Sequence, residues 1–170
     1  MGLIKNRYLQ FMLLVILLMP FFAASHEHQH VHGQGQLLIV QQKQHWHLQF
    51  TLPAADVLGF EHTPETPEQI QRVAALNKRL AVIEQVVKFD NACVMEQSES
   101  TLPSAHDDAH AHQDIKVEYR LLCESPAKQI TLTIFDWVSS LQQVEVQWSH
   151  EKGQGMAKLK PSKPELVWLE

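Results

Sequence analysis

The stretch His45-Trp46-His47-Leu48-Gln49-Phe50-Thr51-Leu52-Pro53 alternates without a break. Trp46, Leu48, Phe50 and Leu52 fall on one side, and His45, His47, Gln49 and Thr51 on the other, the period of a β-strand with one buried face. Pro53 has no N–H for a ladder and closes the strand. Just upstream, Gln36 to Val40 is β-prone and Gln41-Gln42-Lys43-Gln44 is polar, so residues 36–52 read as a hairpin. The pleat puts His45 and His47 together on the solvent face, about 7 Å apart. Two readings of that pair stand: ordinary exposed polar residues, or metal ligands.

Downstream of Pro53, Gly59-Phe60-Glu61-His62-Thr63-Pro64 is a loop leading into a helix. Thr66 is the expected N-cap, Pro67 occupies the first helical position and Gln69 completes a capping box. Ile70, Val73, Leu76, Leu80, Ile83 and Val87 form a stripe at helical spacing, so one helix is expected over 67–87. Lys88 to Met95 reads as a short strand. Glu96 to Gln113 has no apolar period and reads as a flexible loop. Strand alternation resumes at Val117-Tyr119-Leu121-Cys123, at Ile130-Leu132-Ile134 and at Val144-Val146-Trp148, with a brief helical turn expected within Phe135 to Leu141. Gly153-Gln154-Gly155 is expected as a turn before two last strands, around Met156 to Leu159 and Leu166 to Leu169. The expected fold class is α+β: a mostly antiparallel sheet or sandwich with one long helix packed on it and histidine-rich flexible loops. No internal repeat or second-domain linker is visible, so residues 36–170 form one domain with a histidine-rich loop at about 97–114.

Residues 1–25 read as a signal peptide. Lys5 and Arg7 make a basic start, Leu9 to Phe22 is almost wholly apolar, and Phe22-Ala23-Ala24-Ser25 offers small residues for cleavage between Ser25 and His26. The competing reading is a retained anchor, but a bilayer span needs roughly 20 apolar residues, more than this run supplies. No stable membrane insertion is expected after cleavage. Losing Lys5 and Arg7 and no acidic residue takes the formal charge from −5 to −7. Such a surface argues against nucleic acid and anionic lipid as partners. Export places Cys93 and Cys123 in an oxidising space, where a disulfide is the default; the alternative, a thiolate metal pair, usually has its cysteines two to four residues apart.

Seven of the eleven histidines fall in two short tracts. Behind the leader comes His26-Glu27-His28-Gln29-His30-Val31-His32-Gly33, within a tract covering residues 26–35. The second is His106-Asp107-Asp108-Ala109-His110-Ala111-His112. Imidazole is the commonest protein ligand for zinc, and carboxylates such as Asp108 are good donors too. A flexible tract must be ordered to wrap a cation, so capture is expected of these tracts, with transfer to a firmer site on the domain. Glu61 with His62 is one place for that site, and His150 with Glu151 another; each also has a plain structural reading, Glu61 lying near a positive helix end. Copper or nickel is the alternative cation. A chain cut after Ser25 begins His26-Glu27-His28, and a free amine with a histidine at position three can hold Cu2+ or Ni2+ in a square plane. The sequence has no glycine-rich phosphate loop, nucleophile elbow or His-Glu-x-x-His helix, so an enzyme is not expected.

Several of these segments together resemble the ZrgA-like family of periplasmic zinc-binding proteins. They are the tract ending His32-Gly33, Gln36-Leu37-Leu38-Ile39, Pro53 to Thr66, Cys93, the loop histidines, Glu118-Tyr119-Arg120 before Cys123, and Gly153-Gln154-Gly155. The Gly59-to-Pro64 segment is the most specific. The resemblance implies zinc binding in the periplasm, an α/β sandwich, and work alongside an ABC-type zinc importer, with its permease or another periplasmic zinc-binding protein as partner. It carries His28, His30, His32, His106, His110 and His112 as zinc ligands. The loop is short here, with three histidines, which limits the expected capacity. Two functions follow: capture of Zn2+ for the importer, as a solute-binding protein or metallochaperone, or passive buffering of metal in the envelope, copper and nickel included.

Overall fold

A computed structural model of the chain describes residues 31–103 and 114–168. Strand β1 (Gln34–Gln42) and strand β2 (His45–Pro53) form the expected hairpin. Its turn is tighter than the polar run implied: Gln41 and Gln42 belong to β1, and Lys43 takes the left-handed backbone (φ 56°) that a two-residue turn requires. Helices α1 (Ala54–Leu58) and α2 (Pro67–Leu80) follow. Then come β3 (Lys88–Phe89), β4 (Cys93–Thr101), β5 (Asp114–Cys123), β6 (Gln129–Thr131), β7 (Gln143–His150), β8 (Gly153–Leu159) and β9 (Glu165–Val167).

Six strands make one sheet in the order β4-β5-β2-β1-β7-β8, and three make a second, β3-β6-β9. Pairing is antiparallel throughout except between β1 and β7, which run parallel. The fold is thus α+β and dominated by sheet. The alternation in β2 is realised in full: Trp46, Leu48, Phe50 and Leu52 are buried with Leu37 and Ile39 of β1, Val117 and Tyr119 of β5, and Val144 and Val146 of β7. The small sheet covers part of this face, where the Trp46 ring meets Phe89 and Trp168 at 5.5 and 5.3 Å between centroids. The end of α2 covers another part, where the Tyr119 hydroxyl donates to the Leu80 carbonyl at 2.7 Å. Burial pushes that hydroxyl's pKa upward, so it stays a donor at every physiological pH.

Four expectations are corrected. The capping box at Thr66 and Gln69 is present, but α2 stops at Leu80 instead of Val87. Beyond it the chain turns inward through a single 3-10 turn (Ile83–Gln85), which buries Ile83, Val86 and Val87 away from the helix axis. Ile70 lies 55% exposed, so the packed stripe is carried by Val73, Leu76 and Leu80. Residues 96–101, expected as loop, continue strand β4; this is an edge strand with most of its side chains in water, so it shows no apolar period. Gly153-Gln154-Gly155 is the start of β8, not a turn.

Gly155 has a packing reason. It pairs with Trp148, and a Cβ there would lie 2.3 Å from the Trp148 ring. We expect Gly155→Ala to cost about 1–3 kcal/mol through the forced displacement of that ring. A denaturant midpoint unchanged from that of the parent protein would show that Trp148 does not pack there.

Candidate functional site

Strands β1 and β5 both pair with β2 in antiparallel fashion, so they run in the same direction and begin at the same end of the sheet. Pro53, the last residue of β2, pairs with Asp114, the first of β5. On the other side Gln36 pairs with Thr51, so Gln34 stands two strand spacings from Asp114, roughly 10 Å away. One groove of about 530 Å³ on the outer sheet face is lined by both Val31 and Asp114. Val31 lies within the first histidine tract, three residues before β1, and Asp114 follows the second at the start of β5. The two tracts, distant in sequence, therefore join the domain at one rim.

The same rim holds the loop after β2. His32 Nδ1 lies 3.7 Å from Glu61 Oε1, beyond hydrogen-bond range. Just past His32 the backbone is firmly held. The Gly33 N–H donates to Asp56 Oδ2 at 2.5 Å, and its carbonyl accepts from the N–H groups of Gln142 and Gln143 at 2.8 and 3.0 Å. Gly33 sits at φ 76°, where a side chain would be strained. Asp56 belongs to α1, which our reading of the sequence missed; the signal was present, since Pro53 and Gly59 bracket a run with an alanine pair, and Gly59 closes the helix at φ 84°.

His62 is oriented for coordination in one respect. Its Nδ1 lies 2.7 Å from the Thr63 carbonyl, which can only accept. Nδ1 therefore carries a proton, and in the neutral ring this leaves the lone pair on Nε2, the tautomer that backbone carbonyls impose on metal-ligating histidines. The ring also packs on Phe60, 5.4 Å between centroids. His150 is arranged the opposite way: its Nδ1 accepts from the Lys152 N–H at 3.2 Å, so the proton sits on Nε2. That tautomer leaves no free lone pair on a ring nitrogen, and His150 with Glu151 lies at the far end of the sheet from the tracts.

Among the described residues no three His, Cys, Asp or Glu side chains are gathered closely enough to hold a metal ion. Glu61 is brought to His32, and His62 follows it in the same loop. His26, His28, His30, His106, Asp108, His110 and His112 lie outside the described residues, as does the leader at 1–25. No described helix is long and apolar enough to cross a membrane. Cys93 and Cys123 are joined in a disulfide, which removes the thiolate alternative.

A family model described as ZrgA family zinc uptake protein matches residues 29–168. No curated protein matches the chain.

Proposed function

The chain belongs to the ZrgA family of zinc uptake proteins, and from that premise we propose that it captures Zn2+ in the periplasm and supplies it to an ABC-type importer. The observation that carries this reading is the shared rim. Both histidine tracts enter the sheet beside one groove, so imidazoles from each can close on the same ion although some seventy residues separate them. The held backbone at Gly33 fixes where the first tract leaves the domain, and Glu61, beside His32, offers a carboxylate at the landing point. Ligands gathered from two separate segments bind and release faster than a closed four-ligand cage, which suits delivery. The disulfide and the family are compatible with export, and a binding role, not catalysis, is the reading for every residue at the rim.

A zinc titration repeated across pH tests the ligand chemistry. Only neutral imidazole coordinates, and an unperturbed histidine protonates near pH 6.5. Affinity is therefore flat above about pH 7 and falls below about 6, approximately tenfold per pH unit for each histidine in the ion's shell. An affinity constant from pH 7 to 5 would rule out histidine ligation. Copper in parallel decides the cation: preference for Cu2+ that persists in zinc-replete cells would favour the buffering role. Delivery is read separately, as zinc accumulation in chelator-limited cells that depends on this chain only while the importer is present.

A further inference from the structure

We propose that the end of the sandwich opposite the tract rim holds a binding pocket for a small organic carboxylate with a flat apolar body. The β1–β2 turn, the β7–β8 turn and the loop between β5 and β6 follow the ends of β1, β7 and β5, which run in one direction, so all three lie at this end. Residues from these segments line a cavity of about 340 Å³, within the roughly 300–1,000 Å³ of small-molecule sites. Trp46 and Trp168 both line it, their ring centroids 5.3 Å apart and the planes inclined at 57°, and Pro126 adds further apolar surface. Trp168, half-buried just past β9, is the wall whose ring can rotate to admit a ligand.

The polar groups around the cavity set the ligand's chemistry. Among the described residues neither the Trp46 nor the Trp168 Nε1–H has a hydrogen-bond acceptor, although both nitrogens are buried and Trp46 is only 3% exposed. Buried polar groups are paired in the great majority of cases, so two orphaned donors on one cavity call for an acceptor from outside the chain. An indole nitrogen donates and never accepts, so that partner must bring acceptor oxygens. The neighbouring groups are donors as well. His150 Nδ1 accepts from the Lys152 N–H at 3.2 Å, which leaves its Nε2–H as a donor, and Lys128 and Lys152 add positive charge. Glu151 also lines the cavity, where it accepts from the Lys43 N–H at 3.2 Å, and the buried Gln41 amide donates to the Lys43 carbonyl. Aromatic walls, two indole donors and two lysines together select a carboxylate, whose hydrogen bonds are strengthened by its charge.

This pocket does not depend on zinc capture, so its failure and that of the tracts are read separately. The test adds benzoate to the full chain at neutral pH without metal and follows its four indole N–H signals by NMR. Millimolar benzoate should shift the Trp46 and Trp168 signals downfield together, as their protons gain an acceptor. Trp137, which already donates to the Gln85 carbonyl at 2.7 Å, should stay in place. Benzylammonium, the same ring with its charge reversed, should shift neither. Lys152→Gln should weaken benzoate binding by about threefold, the worth of an exposed charge. Trp168→Phe, which keeps an aromatic wall and removes one donor, should weaken it by at least about tenfold, the worth of a hydrogen bond to a charged group. If neither indole responds to tens of millimolar benzoate, if all four shift alike, or if benzylammonium acts equally, the pocket is overturned, and the two indoles are then donors to each other's rings. A Trp168→Phe chain that binds benzoate as tightly as the parent overturns it too.

Discussion

Alanine at His26, His28, His30, His32, His106, His110 and His112 together should weaken the tightest zinc binding by at least about a hundredfold, roughly 2.8 kcal/mol, with the fold untouched. The fold is spared because the core among the described residues is built from β-strand side chains such as Leu48, Phe50 and Tyr119. The informative measurement is the comparison of the two tracts changed singly. If they close on one ion, removing either one leaves an incomplete shell, and each single change costs nearly as much as both, a strong departure from additivity. If each tract holds its own ion, the losses add and capacity falls stepwise. The shared rim at Val31 and Asp114 predicts the first outcome. Glu61→Gln extends the cycle: it should cost about tenfold while His32 is present and nothing once His32 is Ala. Unchanged zinc affinity after all seven replacements would end the tract reading.

What could be read in advance follows the range of the interaction that decides each feature. The β2 strand, the β1–β2 hairpin and the cap at Thr66 are set by side chains a few residues apart, and the period-two run from Trp46 to Leu52 could be read directly. Strand β4 could not, because an edge strand exposed to solvent on most of its length has a loop's composition; Gln97-Ser98-Glu99-Ser100 carries no buried stripe. The end of α2 was misplaced because Ile83 and Val87 keep helical spacing while being buried through a turn. Glycines 153 and 155 looked like punctuation, whereas Gly155 makes room for the Trp148 ring. The candidate site divides along the same line. Which residues have the right chemistry was plain from the two tracts and from Glu61-His62. That the tracts share a rim depends on β1 and β5 both pairing with β2, a long-range choice that no local pattern encodes. The contacts of His45 and His47 with Glu96 and Glu118 are cross-strand in the same way.

Changing both Cys93 and Cys123 to Ser should cost about 3–4 kcal/mol, the loop-closure entropy of a crosslink between residues 30 apart. For a chain of this size that is a fall in the thermal midpoint on the order of 10 °C. The loss should not be spread evenly. The disulfide joins the start of β4 to the end of β5, and the two strands pair from Cys93↔Cys123 to Thr101↔Lys116, so the second histidine tract lies at the opposite end of this hairpin. Strand β5 is anchored independently by β2 and by the burial of Ile115, Val117, Tyr119 and Leu121. Among the described residues strand β4 pairs with β5 alone, and it has a register shift between Met95 and Gln97 and little buried surface. Without the crosslink β4 is the element that detaches, and amide exchange should rise across 93–101 while that of β5 changes little. Zinc affinity should drop by several-fold at most, because the tract stays tethered through Asp114 and only its β4 side is loosened. Uniform exchange across both strands, or complete loss of zinc binding in a chain that remains folded, would contradict this division of labour between the two strands.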